Sequence, residues 1–343
     1  MSPSHEGEPV RTAAPAERPP AGPADAGAAH QRAERRAARI TGGARELEER
    51  LADLLRGGLA AAGPAGRERW EETAARMVDA QAPGLASRVR ELGALPASGA
   101  GWPVRMLEEC GLLHLLDTAW LNRDRLPAPL RAAVRTRVGL PSAPDGPSVR
   151  DRWQVLAQYD TPDGKLVTRR IWLHGVETGR TAVLLSYGAA GRAPELSLPV
   201  DTVLEAEVSP HPGAGGRAEL GRVFGAPEPA RTPPPGVTPA EALDAFGRAL
   251  GEDPWLERHP VVLGAAIPVP SAGGWQLADE EGRTALPVAG DPRSRPGLWR
   301  LAALSGGFPV TVFGELGPRG FAPLAAWSAG RGDHDPGESV ALA

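Results

Sequence analysis

The spacing of apolar residues changes near position 150 of this chain, and the change marks a domain boundary. From about His30 to Val138 large apolar residues recur every three or four positions, whereas from Arg152 they recur every second position. A period near 3.6 lines apolar groups along one helix face, and a period of two lines them on one strand face. Neither segment can adopt the other's conformation without exposing its apolar set. The expected fold class is α+β: an N-terminal helical bundle followed by two mainly antiparallel β modules.

Residues 29–140 form the expected helical region. A first helix starts near Ala29 and carries Leu47, Leu51, Leu54, Leu55 and Leu59 as one stripe, with a bend expected at Gly42-Gly43 because glycine weakens a helix. Gly63-Pro64 ends it. Arg67 to Gln81 places Trp70, Ala74, Met77, Val78 and Gln81 on one side, and Leu85 to Leu95 repeats the pattern with Leu85, Val89 and Leu92. Pro103 to Asn122 is apolar almost all round and is therefore expected in the middle of the bundle. Leu130 to Val138 completes the region.

Residues 150–225 read as a β-meander module. Trp153, Val155, Ala157 and Tyr159 alternate with polar neighbours, Pro162-Asp163-Gly164 turns the chain into Leu166–Leu173, and Glu177-Thr178-Gly179 turns it into Thr181–Tyr187. Leu196–Pro199 and Val203–Val208 read as further strands, and Arg217–Val223 as a short helix. Residues 226–237 are a proline-rich linker. Residues 238–330 form a helix plus a β module: Thr238-Pro239-Ala240-Glu241 has the pattern of a capped helix start. Strands follow at Val261–Val269, Trp275–Ala278, Thr284–Val288 and Leu298–Leu304, with a hairpin over Val310–Trp327 turning at Gly317–Gly320. No repeat is visible in the residues, but the two β regions are of similar size and are expected to be related.

Composition bounds the ends and the chemistry. Residues 1–28 are Pro, Ala, Gly and Glu with few large apolar groups, which predicts a disordered tail or linker; residues 331–343 are expected to fray. Glycine (43) and proline (37) make up close to a quarter of the 343 residues, so many turns are needed. The net charge of −4 argues against wholesale coating of nucleic acid. A single cysteine, Cys110, excludes an intramolecular disulfide and any cysteine-rich zinc site. No apolar run reaches the roughly 18 residues of a membrane span, and the N-terminus lacks a signal-peptide layout. A soluble cytoplasmic protein without a membrane partner is expected.

No residue pattern announces catalysis or a cofactor. Cys110 and His114 share a helix face, but two ligands do not make a zinc site. Ser186 and Ser305 lack the Gly-x-Ser-x-Gly elbow, and Pro212-Gly213-Ala214-Gly215-Gly216-Arg217 fits neither phosphate-loop fingerprint. Glu71-Glu72 and Glu108-Glu109 are helix neighbours pointing about 100° apart, so neither pair can share one substrate. The expectation is no catalytic residue, no metal and no cofactor. Arg32, Arg35, Arg36 and Arg39 are spaced to stack along one helix side and are the candidate nucleic-acid-binding residues.

Several stretches resemble a known family: Glu46–Ala60, Trp70–Gly84, Arg152–Asp160, Gly179–Gly188, Gly191–Glu195, Asp253-Pro-Trp255 and Thr311-Val-Phe-Gly-Glu315. Together, over roughly residues 30–330, they resemble the C-terminal part of actinobacterial SWIM zinc-finger family proteins. In that family a Cys-x-Cys…Cys-x-His finger precedes this region. This chain has no Cys-x-Cys, so zinc binding is carried to no residue. Either the gene start lies upstream of Met1 or this is a finger-less paralogue; the Pro/Ala-rich opening resembles the family's post-finger linker and favours the first. The resemblance implies protein partners, an AAA ATPase and a von Willebrand factor A-type protein. The functional expectation is a non-catalytic interaction or scaffold region in a protein assembly. The alternatives are a nucleic-acid-associated accessory protein using Arg32 to Arg39 and an enzyme of unrecognised type.

Overall fold

The computed structural model describes residues 23–59, 67–140, 143–144, 146–163, 166–189, 192–213, 215–271, 274–290, 295–328 and 339–342. The expected tail up to position 22, the helix stop at Gly63-Pro64, Gly164 of the first turn and residues 331–338 of the expected frayed end lie outside them. Five helices come first: α1 (Pro23–Gly57), α2 (Arg67–Asp79), α3 (Pro83–Ala94), α4 (Trp102–Leu121) and α5 (Ala128–Arg137). Two corrections concern α1, which begins at Pro23 rather than near Ala29 and runs as one helix through Gly42-Gly43. Gly43 is there for space: a Cβ on it would lie 2.7 Å from that of Ala80, so its absence lets the end of α2 approach. The bundle core is Leu47, Trp70, Met77, Leu85, Val89, Met106, Leu113, Leu116 and Trp120 among others, all buried.

The position of α4 also departs from expectation. One side of it is core, but Val104, Leu107 and Leu115 are exposed, so it lies on the outside of the bundle. On its inner side Asp117 is fully buried, and neither carboxyl oxygen has a hydrogen-bond partner among the described residues. Burial, and then the Glu48 carboxylate, push it up to about 9, so the group is held as a neutral acid.

The first β module contains β1 (Val149–Asp163), β2 (Leu166–Gly175), β3 (Thr181–Ala189), β4 (Thr202–Pro210), β5 (Arg217–Val223) and β6 (Glu228–Pro229). The expected three-stranded meander is β1-β2-β3, and the sheet then closes on itself in the order β1-β2-β3-β5-β4-β1. Closure depends on β1 bending at a bulge between Val155 and Ala157. Its first half pairs with β4 and its second half with β2. The β3–β5 pair is parallel and the others are antiparallel. Residues 217–223 are thus strand β5 and not a short helix. Ala218 is buried and Leu220 half-buried while Glu219 and Gly221 are exposed, an alternation too short to read without the pairing partner. Nor is Leu196–Pro199 a strand: Leu198 fills the barrel while its N–H and that of Leu196 bond to the Gln158 and Ser186 side chains.

The proline-rich linker is pinned at both ends. Glu228 and Pro229 pair with β4 of the first barrel, and Val237 exchanges backbone hydrogen bonds with Val262 and Gly264 of the second. Thr238 and Glu241 then cap α6 (Pro239–Glu252) reciprocally, as the residue pattern predicts.

The second module contains β7 (His259–Ser271), β8 (Gly274–Ala278), β9 (Ala285–Pro287), α7 (Arg295–Ser305), β10 (Val310–Gly317), β11 (Gly320–Ser328) and β12 (Ser339–Ala341). Residues 298–304 lie in α7 and not in a strand, because Leu298 and Leu301 are buried at a spacing of three. The end of the chain is also firmer than expected, since β12 pairs with β11 and Leu342 is buried in the module's core. Antiparallel β7–β8, β8–β9, β7–β10 and β10–β11 pairs are closed by a parallel bridge from Val288 to Phe321. In module numbering this is again 1-2-3-5-4-1, now with a helix between the third and fourth strands. Both modules are five-stranded Greek-key barrels of the OB-fold type. The two regions, similar in size, are thus alike in architecture.

The three bodies are locked together. The outer faces of β1–β3 and β10–β11 share a core of Leu156, Trp172, Val183, Phe313, Leu324 and Trp327. Glu315 accepts hydrogen bonds from Tyr159 (2.6 Å) and Trp172 (2.9 Å) within that interface, and Trp327 donates to Asp201. Asp253 takes Arg137 of α5 at 2.6 Å, and Trp255 enters the bundle core and donates to the Leu112 carbonyl. Three of the stretches that carry the family resemblance, those around Tyr159, Trp255 and Glu315, are therefore joints between bodies.

Candidate functional site: an arginine groove on the bundle

The four candidate arginines come together. Arg32, Arg35, Arg36 and Arg39 on α1 line a groove of about 660 Å³ whose other wall is Val78, Gln81 and Pro83 at the α2–α3 junction. Helical spacing places the guanidinium groups on one side of α1, and Ile40, Ala44 and Leu47 hold that helix against the core by another. The four are not equivalent. Arg36 is half-buried and donates to the carbonyls of Gly139 (3.1 Å) and Gln81 (3.4 Å), tying α1 to the ends of α2 and α5; its Nε is buried and has no partner among the described residues. Arg32, Arg35 and Arg39 are exposed at the rim. Glu34, the acid among them, lies 3.2 Å from His30.

The opposite wall is what sequence spacing misses. Val78 belongs by period to the buried face of α2, yet it is 48% exposed and forms an apolar floor with Pro83. Gln81 takes a left-handed conformation (φ 61°) that turns the chain between α2 and α3 and presents its carbonyl to Arg36. The groove thus combines a cationic rim with a small apolar floor.

The surfaces by which OB-type barrels hold oligonucleotides are the outer face of their second and third strands and the loops beside it. In the first barrel that face carries Trp172 and Val183, sealed against the second barrel. In its β4–β5 loop Gly213 lies against the backbone of α5. A Cβ on Gly213 (φ 64°) would lie 2.3 Å from the Ala132 carbonyl carbon. In the second barrel the face is open but carries Gln276, Ala278, Ala285 and Pro287, with no aromatic platform and no arginine among these described residues. Trp275 lies two positions from buried Leu277, on the inner side, and meets Trp299 of α7 edge to face at 5.3 Å.

The remaining groups have structural partners. Cys110 is buried, and burial followed by Glu109 pushes its thiol up to about 11; His114 is exposed and its Nδ1 lies 2.7 Å from Glu48. Among the described residues no group of three or more His, Cys, Asp and Glu side chains is placed to hold a metal ion. The Ser186 hydroxyl accepts from the Leu196 N–H, and Ser305 caps α7 by donating to the Phe308 carbonyl. Glu71 pairs with Arg90 and Glu72 with Arg76. No helix among the described residues is long and apolar enough to cross a membrane.

The molecule is thus an all-helical bundle carrying two OB-type barrels, with a concentrated cationic groove on the bundle. Residues 35–138 match the model of the SWIM-associated four-helix bundle domain, a span that begins within α1 and ends just after α5. The helical region is therefore a SWIM-associated domain, as the resemblance implies, and the match includes three of the four groove arginines. The SWIM finger motif itself is not among the residues of the chain. No curated protein and no solved structure matches the chain.

Proposed function

We propose that this chain is a non-catalytic interaction module of a SWIM-related assembly and that the α1 groove receives an acidic segment of a protein partner. The observation that carries the reading is the groove's composition: exposed arginines along one rim and Val78 with Pro83 on the floor. Carboxylates satisfy the guanidinium groups, while an apolar side chain of the same segment covers the floor, a pairing that a sugar-phosphate backbone does not offer. The interlocked bundle and barrels support a scaffold role by holding the groove on a single body. By family resemblance, an AAA ATPase or a von Willebrand factor A-type protein is the partner class to test.

The experiment is co-expression with those two proteins from the source organism, followed by native mass spectrometry of the wild-type chain and of the Arg35→Glu/Arg39→Glu variant. A stoichiometric complex that the variant loses supports the reading, and a complex indifferent to the charge reversal overturns it. The helical row of arginines favours one second reading, contact with nucleic acid. Binding of single-stranded DNA with a steep salt dependence, abolished by arginine-to-alanine changes in the same row, would establish that reading instead.

A further inference from the structure

The outer face of the first barrel is sealed over only part of its length. Across β1, β2 and β3 three paired rows share that face: Ala157, Trp172 and Val183; Tyr159, Arg170 and Leu185; and Thr161, Thr168 and Tyr187. The first row is buried against the second barrel, and Tyr159 and Leu185 are half-buried at its margin. The third row reaches solvent, with Tyr187 54% exposed.

Arg170, in the middle row, is half-buried, and its side chain has no hydrogen bond or ion pair among the described residues. Its neighbour Arg169 turns to the opposite face and takes Asp160 at 2.7 Å. Thr161, diagonal to Arg170 across the β1–β2 pair, also has its hydroxyl buried with no partner among the described residues. Buried polar groups are almost always paired, so two unpaired ones side by side call for a further group from outside the described chain. Charge gives the sign of that group. Burial and Glu315 push the Tyr159 hydroxyl up while Arg170 and Arg258 oppose them, which places both guanidinium groups beside it. Glu315 lies 3.6 Å from Arg258 and balances one of the two charges; the other is left for an anion.

The surroundings narrow the anion's class. Tyr187 stands on the next row, diagonal to Arg170 across the β2–β3 pair and roughly 7–8 Å from it. A cationic group beside an uncovered aromatic ring suits a phosphate joined to a flat base, whereas a peptide carboxylate leaves the ring without a partner. We propose that the open rows bind a short single-stranded nucleic acid, with a phosphate on Arg170 and a base stacked on Tyr187. The seal at Trp172 closes one end of the face, so the site holds only about one or two nucleotides and binds weakly. It is separate from the α1 groove, which lies on the bundle, and is independent of whether that groove takes an acidic partner.

The test titrates the full chain into a fluorescein-labelled thymidine oligonucleotide at low salt, read by fluorescence anisotropy. Fluorine NMR of the chain carrying 3-fluorotyrosine locates the contact, because Tyr159 and Tyr187 are the two tyrosines of the sequence and give two lines. Binding is expected to weaken with salt at a log–log slope of about −0.7 for each phosphate held, and the Tyr187 line is expected to move on titration. Tyr187→Ala should lower affinity by about fivefold or more, and Arg170→Gln by about tenfold with a shallower salt slope. Circular dichroism checks the fold of Arg170→Gln, and the exposed Tyr187 gives a variant that leaves the core untouched. Arg35→Glu/Arg39→Glu is expected to bind as the wild type does. No binding at low salt, a Tyr187 line that stays fixed at saturation, or binding lost in Arg35→Glu/Arg39→Glu and kept in Tyr187→Ala overturns the proposal. So does a polyglutamate peptide that binds with the same dependence on Arg170 and none on Tyr187.

Discussion

In the first barrel the outer side of β2 and β3 holds Trp172 and Val183, both buried against the second barrel, while the matching side of β8 and β9 holds Gln276, Ala278, Ala285 and Pro287 and faces outward. The barrels also differ in what fills the space between the third and fourth strands. The second uses helix α7, with Leu298 and Leu301 buried, and the first uses a loop that inserts Leu198. One strand order therefore serves as a packing hub in one case and as a cover in the other. Topology sets the shape of such a barrel, whereas the residues on its outer face decide what the shape is for.

Breaking the sealed face should have the largest effect. Trp172→Ala removes a buried ring stacked edge-on to Phe313 and the donor to Glu315, and is expected to cost about 3–5 kcal/mol in urea unfolding. Gly213→Ala tests the other contact of the first barrel. A Cβ against the α5 backbone in a left-handed conformation should cost about 1–3 kcal/mol and raise amide hydrogen exchange in α5.

The turns after the second strands set the barrels further apart. In the first barrel Asp151 accepts bonds from the Arg152, Glu177 and Thr178 amides and from the Thr178 hydroxyl; in the second, Asp279 accepts from the Arg283 and Thr284 amides. Burial raises Asp151, but the Thr178 hydroxyl and those amides outweigh it and hold the carboxyl below its ordinary value. Its contribution is therefore present above the unfolded value of 3.8 and is lost as pH falls through the depressed folded one. Asp151→Asn is expected to cost about 1–3 kcal/mol at neutral pH and to flatten the acid limb of a stability-against-pH curve, with Asp279→Asn doing less. The smallest effect is expected at the open barrel, where Trp299 is 68% exposed. Trp299→Ala should cost under about 1 kcal/mol by thermal melting, against the several predicted for Trp172.

Much of this architecture is legible in the residues themselves. The helices over 67–81, 85–95 and 103–122 follow from their apolar spacing, and the capped start at Thr238 from its turn chemistry. Misreadings fall where a short apolar run suits either period: Leu298–Leu304 is helix and Arg217–Val223 is strand. Barrel closure is illegible because it rests on pairs such as Trp153 with Leu204 and Val288 with Phe321, which no local pattern announces. The candidate site is half legible for the same reason. Spacing lines up Arg32 to Arg39, but only the fold brings Gln81, 45 residues away from Arg36, to form the opposite wall.

Asp117 in the bundle responds to acid in the opposite sense. Its carboxyl rises from an ordinary 3.8 in the unfolded chain to about 9 in the folded one, so folding takes up a proton throughout that interval. The contribution of Asp117 is therefore greatest below the interval and falls as pH climbs through it, while that of Asp151 in the first barrel falls as pH drops. Two buried carboxyls thus pull on folding in opposite senses, Asp117 favouring it where protons are plentiful and Asp151 where they are scarce.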